Sequence, residues 1–89
     1  KIVPGSSEVL NADLVLLAMG FVHPVHAGLL NELGLDYTDR KNIRINGQYN
    51  TSKEKVFAAG DSVMGASLVV NAIHSGREAA KHIHNFLRD

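Results

Sequence analysis

The chain has no cysteine and no tryptophan, and only two of its 89 residues are proline. The missing thiols exclude disulfide staples, thiolate catalysis and thiolate-ligated iron–sulfur clusters within these residues. An excess of charge of one sign is lacking as well, because nine Lys and Arg balance nine Asp and Glu. With its basic residues scattered, the sequence carries no electrostatic footprint for nucleic acid or an anionic membrane, and neither partner is expected. Long hydrophobic runs are also missing. The longest, Leu14 to Met19, falls far short of the roughly 20 residues that cross a bilayer. What is present is globular in kind: 45% hydrophobic and 20% charged residues without a low-complexity tract argue against disorder. This length supports one small domain with one modest core. The first residues lack Met and any signal pattern and read as the inside of a domain, so a fragment of a longer chain is expected.

Lys1 to Val3, followed by Pro4, Gly5, Ser6 and Ser7, reads as a strand end entering a turn. The continuous apolar segment Ala12 to Gly20 has the pattern of a strand covered on both faces of a parallel sheet. A buried helical segment is the competing reading, because so short a run shows no decisive period. Leu29, Leu30 and Leu33 are spaced for a short helix over His26 to Leu33, and Gly34 follows where a left-handed cap belongs. Two short alternating segments around Asp39 to Asn42, then Asn46 and Gly47, predict a small antiparallel ribbon over residues 35 to 50. Lys55 to Gly60 predicts a further strand.

From Ser67 onward the sequence predicts its longest helix. Val69, Ala72, Ile73, Gly76, Ala80, Ile83 and Leu87 form one stripe, with Asn71, Ser75, Glu78, Lys81, His82, Asn85 and Arg88 largely opposite. Gly76 inside that helix suggests a neighbour too close for a Cβ. Strand, loop and helix in this order make an α/β unit rather than a hairpin.

The stretch VFAAGDS, residues 56 to 62, ends that strand in a carboxylate. In open parallel sheets, ligands bind outside the carboxyl ends of strands. Ala58 and Ala59 leave room, Gly60 lets backbone approach a guest, and Asp61 accepts hydrogen bonds from hydroxyls, which suits a polyol or ribose. The simpler reading is that Asp61 caps a turn or the next helix. Ser67 is a sensible N-cap, and the free N–H groups of Leu68 and Val69 at that helix start favour an anion.

VFAAGD followed by GASLVVNAIHSGREAA, together with ADLVLLAMGF upstream, resembles the C-terminal part of a family of two-dinucleotide flavoprotein reductases. That family includes the small (β) subunit of glutamate synthase, dihydropyrimidine dehydrogenase and NADPH:ferredoxin reductases. The resemblance implies an α/β, Rossmann-like fold in which residues 1–20 end an NAD(P)-binding domain and residues 21–89 form the C-terminal part of an FAD-binding domain. It implies that Asp61 bonds the ribityl chain of FAD, that Gly60 lets the backbone run against the cofactor, and that the Leu68 and Val69 amides after Ser67 face the flavin N1 and C2 carbonyl. Ala18, Met19 and Gly20 match the segment returning the chain to the FAD domain, with Gly20 permitting close approach. No catalytic acid, base or nucleophile is implied within this segment. FAD and NADPH are the implied cofactors, although their glycine-rich pyrophosphate loops are absent from this sequence, and iron–sulfur clusters are expected elsewhere in the parent. The implied partners are the remainder of the flavoprotein chain and a glutamate synthase large subunit or another electron acceptor, in the cytoplasm. Alternatives are another reductase of the superfamily or a non-catalytic folding or interaction module. The resemblance is weakest from Val22 to Asn50. His23, Pro24 and His26 depart from the Gly, Pro and acidic residues usual there, and no role is carried onto them.

Rival chemistry is thin. His23 and His26 are three apart and His82 and His84 two apart, but the second spacing separates helical side chains by about 200°, so no metal site is expected. Glu32, Asp36 and Asp39 alternate with Arg40 and Lys41, as on a solvated loop. GASLV lacks the second glycine of a nucleophile elbow, which removes Ser67, His74 and Ser75 as a hydrolase set.

Overall fold

A computed structural model describes residues 2–88. Lys1 and Asp89, the outer ends of the two expected segments, lie outside them. Three helices occur in order: α1 (Leu29–Leu33), α2 (Asp61–Met64) and α3 (Val69–Arg88). Between α1 and α2 the backbone pairs antiparallel at two isolated bridges, Tyr37 with Ile43 and Asn50 with Phe57.

Both expected ribbon turns form, and each is a tight reversal closed by a left-handed residue. In the first, Lys41 N–H donates to Thr38 O at 2.9 Å and Thr38 N–H to Asn42 O at 2.8 Å, with Lys41 at φ 68°. The second repeats this with Tyr49 N–H to Asn46 O, Asn46 N–H to Asn50 O, and Tyr49 at φ 65°. Here the Asn46 side chain accepts from Gln48 and Asn50 N–H at 2.8 and 3.2 Å. That Asx contact stabilises the turn, so Tyr49 rather than Gly47 takes the positive φ. The Pro4–Gly5 turn is also present, closed by Ser6 N–H on Val3 O.

The two expected strands are not realised as strands among the described residues. Of Lys55 to Gly60, only Phe57 is bridged, and Ala12 to Gly20 is unpaired. Leu14, Leu16 and Leu17 are 76, 79 and 82% exposed. A strand exists only against a partner, and nothing among the described residues offers Leu14–Leu17 an edge. The arm stays extended, so the radius of gyration is 18.5 Å where a compact chain of this length has about 12 Å.

Helix α1 is shorter than its leucine spacing predicts, but Gly34 caps it at φ 68°, ψ 37° with its N–H on Asn31 O. Helix α3 is present, with a different face inward. Ser75 and Ala79 are its buried residues, whereas Val69, Ile73 and Leu87 are 73, 57 and 75% exposed. The ribbon approaches the small side chains. A Cβ placed on Gly60 would lie 3.8 Å from Ala72 Cβ. Phe57 meets Phe86 edge to face at 5.6 Å between ring centroids, and Tyr49 lies 5.8 Å from His82. Gly76 has no heavy atom within 4 Å of where its Cβ would be, so no close neighbour explains it. The core is the seam between ribbon and α3, with Leu35, Ile43 and Ala79 as its buried apolar residues beside Asn42, Thr51 and Ser75.

Candidate functional site

Gly60 turns the chain from the ribbon into α2. Its φ of 74° with ψ −148° is a conformation almost restricted to glycine. The residue is buried, and its N–H donates to Ser75 Oγ at 2.7 Å across fifteen positions of sequence. Ser75 in turn donates to Ala72 O at 3.2 Å. This pair pins the corner to the middle of α3.

Asp61, the next residue, is the first of α2, and its side chain makes no capping bond. Its carbonyl accepts Gly65 N–H at 2.9 Å while the carboxylate has no hydrogen-bond partner among the described residues. The ribbon supports the corner from below through Ile43 N–H on Ser62 O at 2.8 Å. Asn42 sits under Gly65, its amide nitrogen 3.4 Å from where a Cβ would be. Helix α2 itself was not anticipated from the sequence. Glycines at both ends, Gly60 and Gly65, were its available signal.

A cavity of about 350 Å³ opens beside this corner, walled on one side by Asp61, Ser62, Gly65 and Ala66 and on the other by residues 21–25. The second wall is held by stacked rings. His23 lies on His26 at 4.6 Å between centroids, and His26 on Tyr37 at 3.9 Å with 7° between planes. His26 Nε2 donates to Lys41 O at 2.7 Å. No sequence signal placed His23 on the same cavity as Asp61, because that depends on how the 21–25 segment crosses the corner.

Of the expected site residues only Asp61 lines this cavity; Gly20, Gly60 and Ser67 adjoin lining residues in the chain, and Leu68 and Val69 follow them. Gly20, at φ 78°, precedes the wall residue Phe21, but nothing lies within 4 Å of where its Cβ would be, so its backbone conformation and not close packing calls for glycine. Ser67 does not cap through the backbone. Its Oγ accepts from the Asn71 side chain at 2.8 Å. Leu68 O accepts the first helical bonds, from Asn71 and Ala72 N–H, which places Leu68 at the N-cap position. The N–H groups of Leu68 and Val69 reach no acceptor among the described residues, at a helix end that carries about half a positive charge. Among the described residues, no three His, Asp or Glu side chains converge on one point. No helix among them is long and apolar enough to cross a membrane.

Comparison with known proteins decides the family. The model of the family described as "Pyridine nucleotide-disulphide oxidoreductase" matches residues 1–76. The chain belongs to that family. These oxidoreductases are named for a disulphide, yet this sequence has no cysteine to form one. Among curated relatives, the glutamate synthase (NADPH) small chain of Mycobacterium tuberculosis is 51% identical over 85 residues, covering 96% of this chain and 17% of that protein. The glutamate synthase (NADPH) small chain of Bacillus subtilis is 39% identical over 85 residues, with the same 96% and 17% coverage. The glutamate synthase (NADH) of Saccharomyces cerevisiae is 39% identical over 93 residues, covering 98% of this chain and 4% of the yeast protein. The chain thus spans about 17% of the length of these bacterial oxidoreductase relatives. No solved structure matches it.

Proposed function

We propose that this chain is the C-terminal FAD-binding portion of an NADPH-dependent glutamate synthase small subunit. Residues 1–20 would close the NAD(P)-binding domain, and residues 21–89 would complete the FAD-binding domain. A bound FAD would supply redox chemistry to the complete protein, accepting hydride from NADPH and delivering electrons through iron–sulfur centres outside this chain toward a large subunit that would make glutamate from glutamine and 2-oxoglutarate.

The observation that carries the reading is the unpartnered Asp61 carboxylate on the cavity wall, set on a glycine corner that is itself tied to Ser75. A carboxylate is acceptor-only and suits the hydroxyls of a ribityl chain. The positive φ of Gly60, held by Ser75, sets the corner that carries Asp61 at the cavity wall. The N–H groups of Leu68 and Val69 supply donors and a positive helix end for the electron-rich N1 and C2 carbonyl edge, with Ser67 bracing that turn through Asn71. Gly20 turns the returning chain toward the wall at Phe21. The residues present therefore fit one edge of the cofactor, while its pyrophosphate needs loops from elsewhere in the parent.

The same reading accounts for the exposed apolar arm. Val9, Leu17, Phe21 and Val22 are 95, 82, 88 and 83% exposed, a surface that a self-sufficient module would bury. A flavoprotein body covers it. In the full-length protein, Asp61→Ala removes a charge-assisted bond contributing about 1.5 to 3 kcal/mol. FAD affinity then falls about 10- to 100-fold with the fold intact. Flavin content unchanged after exhaustive dialysis would refute the assignment.

A further inference from the structure

The polar side chains lining the cavity beside Asp61 share one hydrogen-bonding sign. Three polar side chains line it, Asp61, Ser62 and His23, and each offers lone pairs. The Asp61 carboxylate has no hydrogen to give. Ser62 spends its hydroxyl hydrogen on Ala59 O at 3.0 Å, which leaves an acceptor oxygen. His23 places Nδ1 2.7 Å from Pro24 O. A carbonyl oxygen only accepts, so Nδ1 carries the hydrogen and Nε2 of the neutral ring keeps its lone pair. The ring is held in place by its stack on His26, which is anchored to Lys41 O and backed by Tyr37.

A guest bridging these groups must bring hydrogens at several neighbouring positions. Phosphate brings none and adds negative charge beside Asp61. A polyol brings one hydrogen on each carbon, in the spacing that lets one hydroxyl serve each wall. We infer that His23 is a second polyol-binding residue, with its Nε2 accepting a hydroxyl of the FAD ribityl chain across the cavity from Asp61. The inference rests on the FAD reading above and extends it to a residue, and to a wall, outside the matching motifs. The pre-stacked ring loses little freedom when the bond forms, so the bond appears in affinity at nearly its full strength.

The test uses the full-length flavoprotein stripped of FAD and titrated by flavin fluorescence at about pH 8, above the ordinary imidazole range. His23→Phe keeps an aromatic ring on His26 and removes the acceptor. The expected result is FAD affinity weakened about 3- to 10-fold. His23→Gln, which restores an acceptor at similar reach, recovers part of the loss. Titration with FAD analogues that have single ribityl hydroxyls replaced by hydrogen separates bonding from stacking. The penalty of His23→Phe disappears with the analogue missing the partner hydroxyl. An equal penalty with every analogue would overturn the inference in favour of a purely structural ring. Wild-type FAD affinity in His23→Phe beside weakened affinity in Asp61→Ala would overturn it while leaving the FAD reading intact. Unchanged affinity in both variants would overturn the FAD reading itself.

Discussion

Ser75→Ala is the perturbation that most directly probes how the fold holds the site. Ser75 is 5% exposed and its Oγ accepts the N–H of the buried Gly60 at 2.7 Å. Removing the hydroxyl leaves that N–H buried without a partner, which costs about 1 to 3 kcal/mol. Alanine offsets about 0.5 kcal/mol of this through its better helix propensity at a mid-helix position. The net is about 1 to 2 kcal/mol, concentrated at the corner that presents Asp61. Hydrogen exchange read at the Gly60 amide of the full-length protein should therefore accelerate about 5- to 30-fold if local opening governs it. FAD should dissociate more readily from the same variant, because Asp61 follows the loosened residue directly. Ser67→Ala is the control, since that exposed hydroxyl bonds only the Asn71 side chain and should leave Gly60 protection unchanged. Equal protection of Gly60 in wild type and Ser75→Ala would refute the idea that α3 pins the corner.

Gly60→Ala tests the corner through its backbone. The space would accept a methyl, with Ala72 Cβ at 3.8 Å, but φ 74° with ψ −148° costs a non-glycine residue about 1 to 3 kcal/mol. A lower denaturant midpoint with reduced flavin content is expected, and an unchanged midpoint would remove the conformational reason for glycine. Glu78 tests the solvent side of α3. The hydrogen bond from Lys81 at 3.1 Å, then the Lys81 charge, hold its carboxyl below the ordinary glutamate range. A depressed folded-state value means that its stabilisation is complete above the unfolded glutamate range and is lost as pH falls through the folded one. The melting difference between wild type and Glu78→Gln should accordingly be present at neutral pH and vanish in acid.

Features closed by local bonds were legible in the residues. Gly34 takes the left-handed cap, the Asp39–Asn42 and Asn46 reversals form, and α3 follows the loop after Asp61. Each depends on hydrogen bonds that span a few positions, so residue identity decides it. The strands failed for the opposite reason. Leu14–Leu17 reads as buried, yet among the described residues nothing pairs with it or covers it, and a strand needs such a partner. The inward face of α3 was misassigned on similar grounds. Its larger apolar stripe, with Val69, Ile73 and Leu87, points away from the ribbon, while Ala72, Ser75 and Ala79 let the Gly60 corner approach. A hydrophobic period marks the apolar faces of a helix and does not say which one this ribbon takes.

At the corner, Gly60 and Asp61 stood out in the sequence because a glycine and a carboxylate after a β-rich run is an informative local pattern. The Ser75 anchor was not, since serine fifteen positions away reads as an ordinary polar helix residue. Nor was His23, whose place on the cavity that Asp61 lines depends on the path of residues 21–25 and on the stack through His26 to Tyr37.

Sequence by itself determined which chemical groups stand at the corner, and membership of an oxidoreductase family through motifs that need no folding to be recognised. Only tertiary structure decided that the carboxylate has no partner among the described residues, that a helix hydroxyl holds the glycine before it, and that His23, with its Nδ1 on Pro24 O, lines the same cavity. Identity and local backbone geometry are written in adjacent residues. Which hydrogen-bonding groups remain available to a ligand depends on every partner that distant residues bring to them.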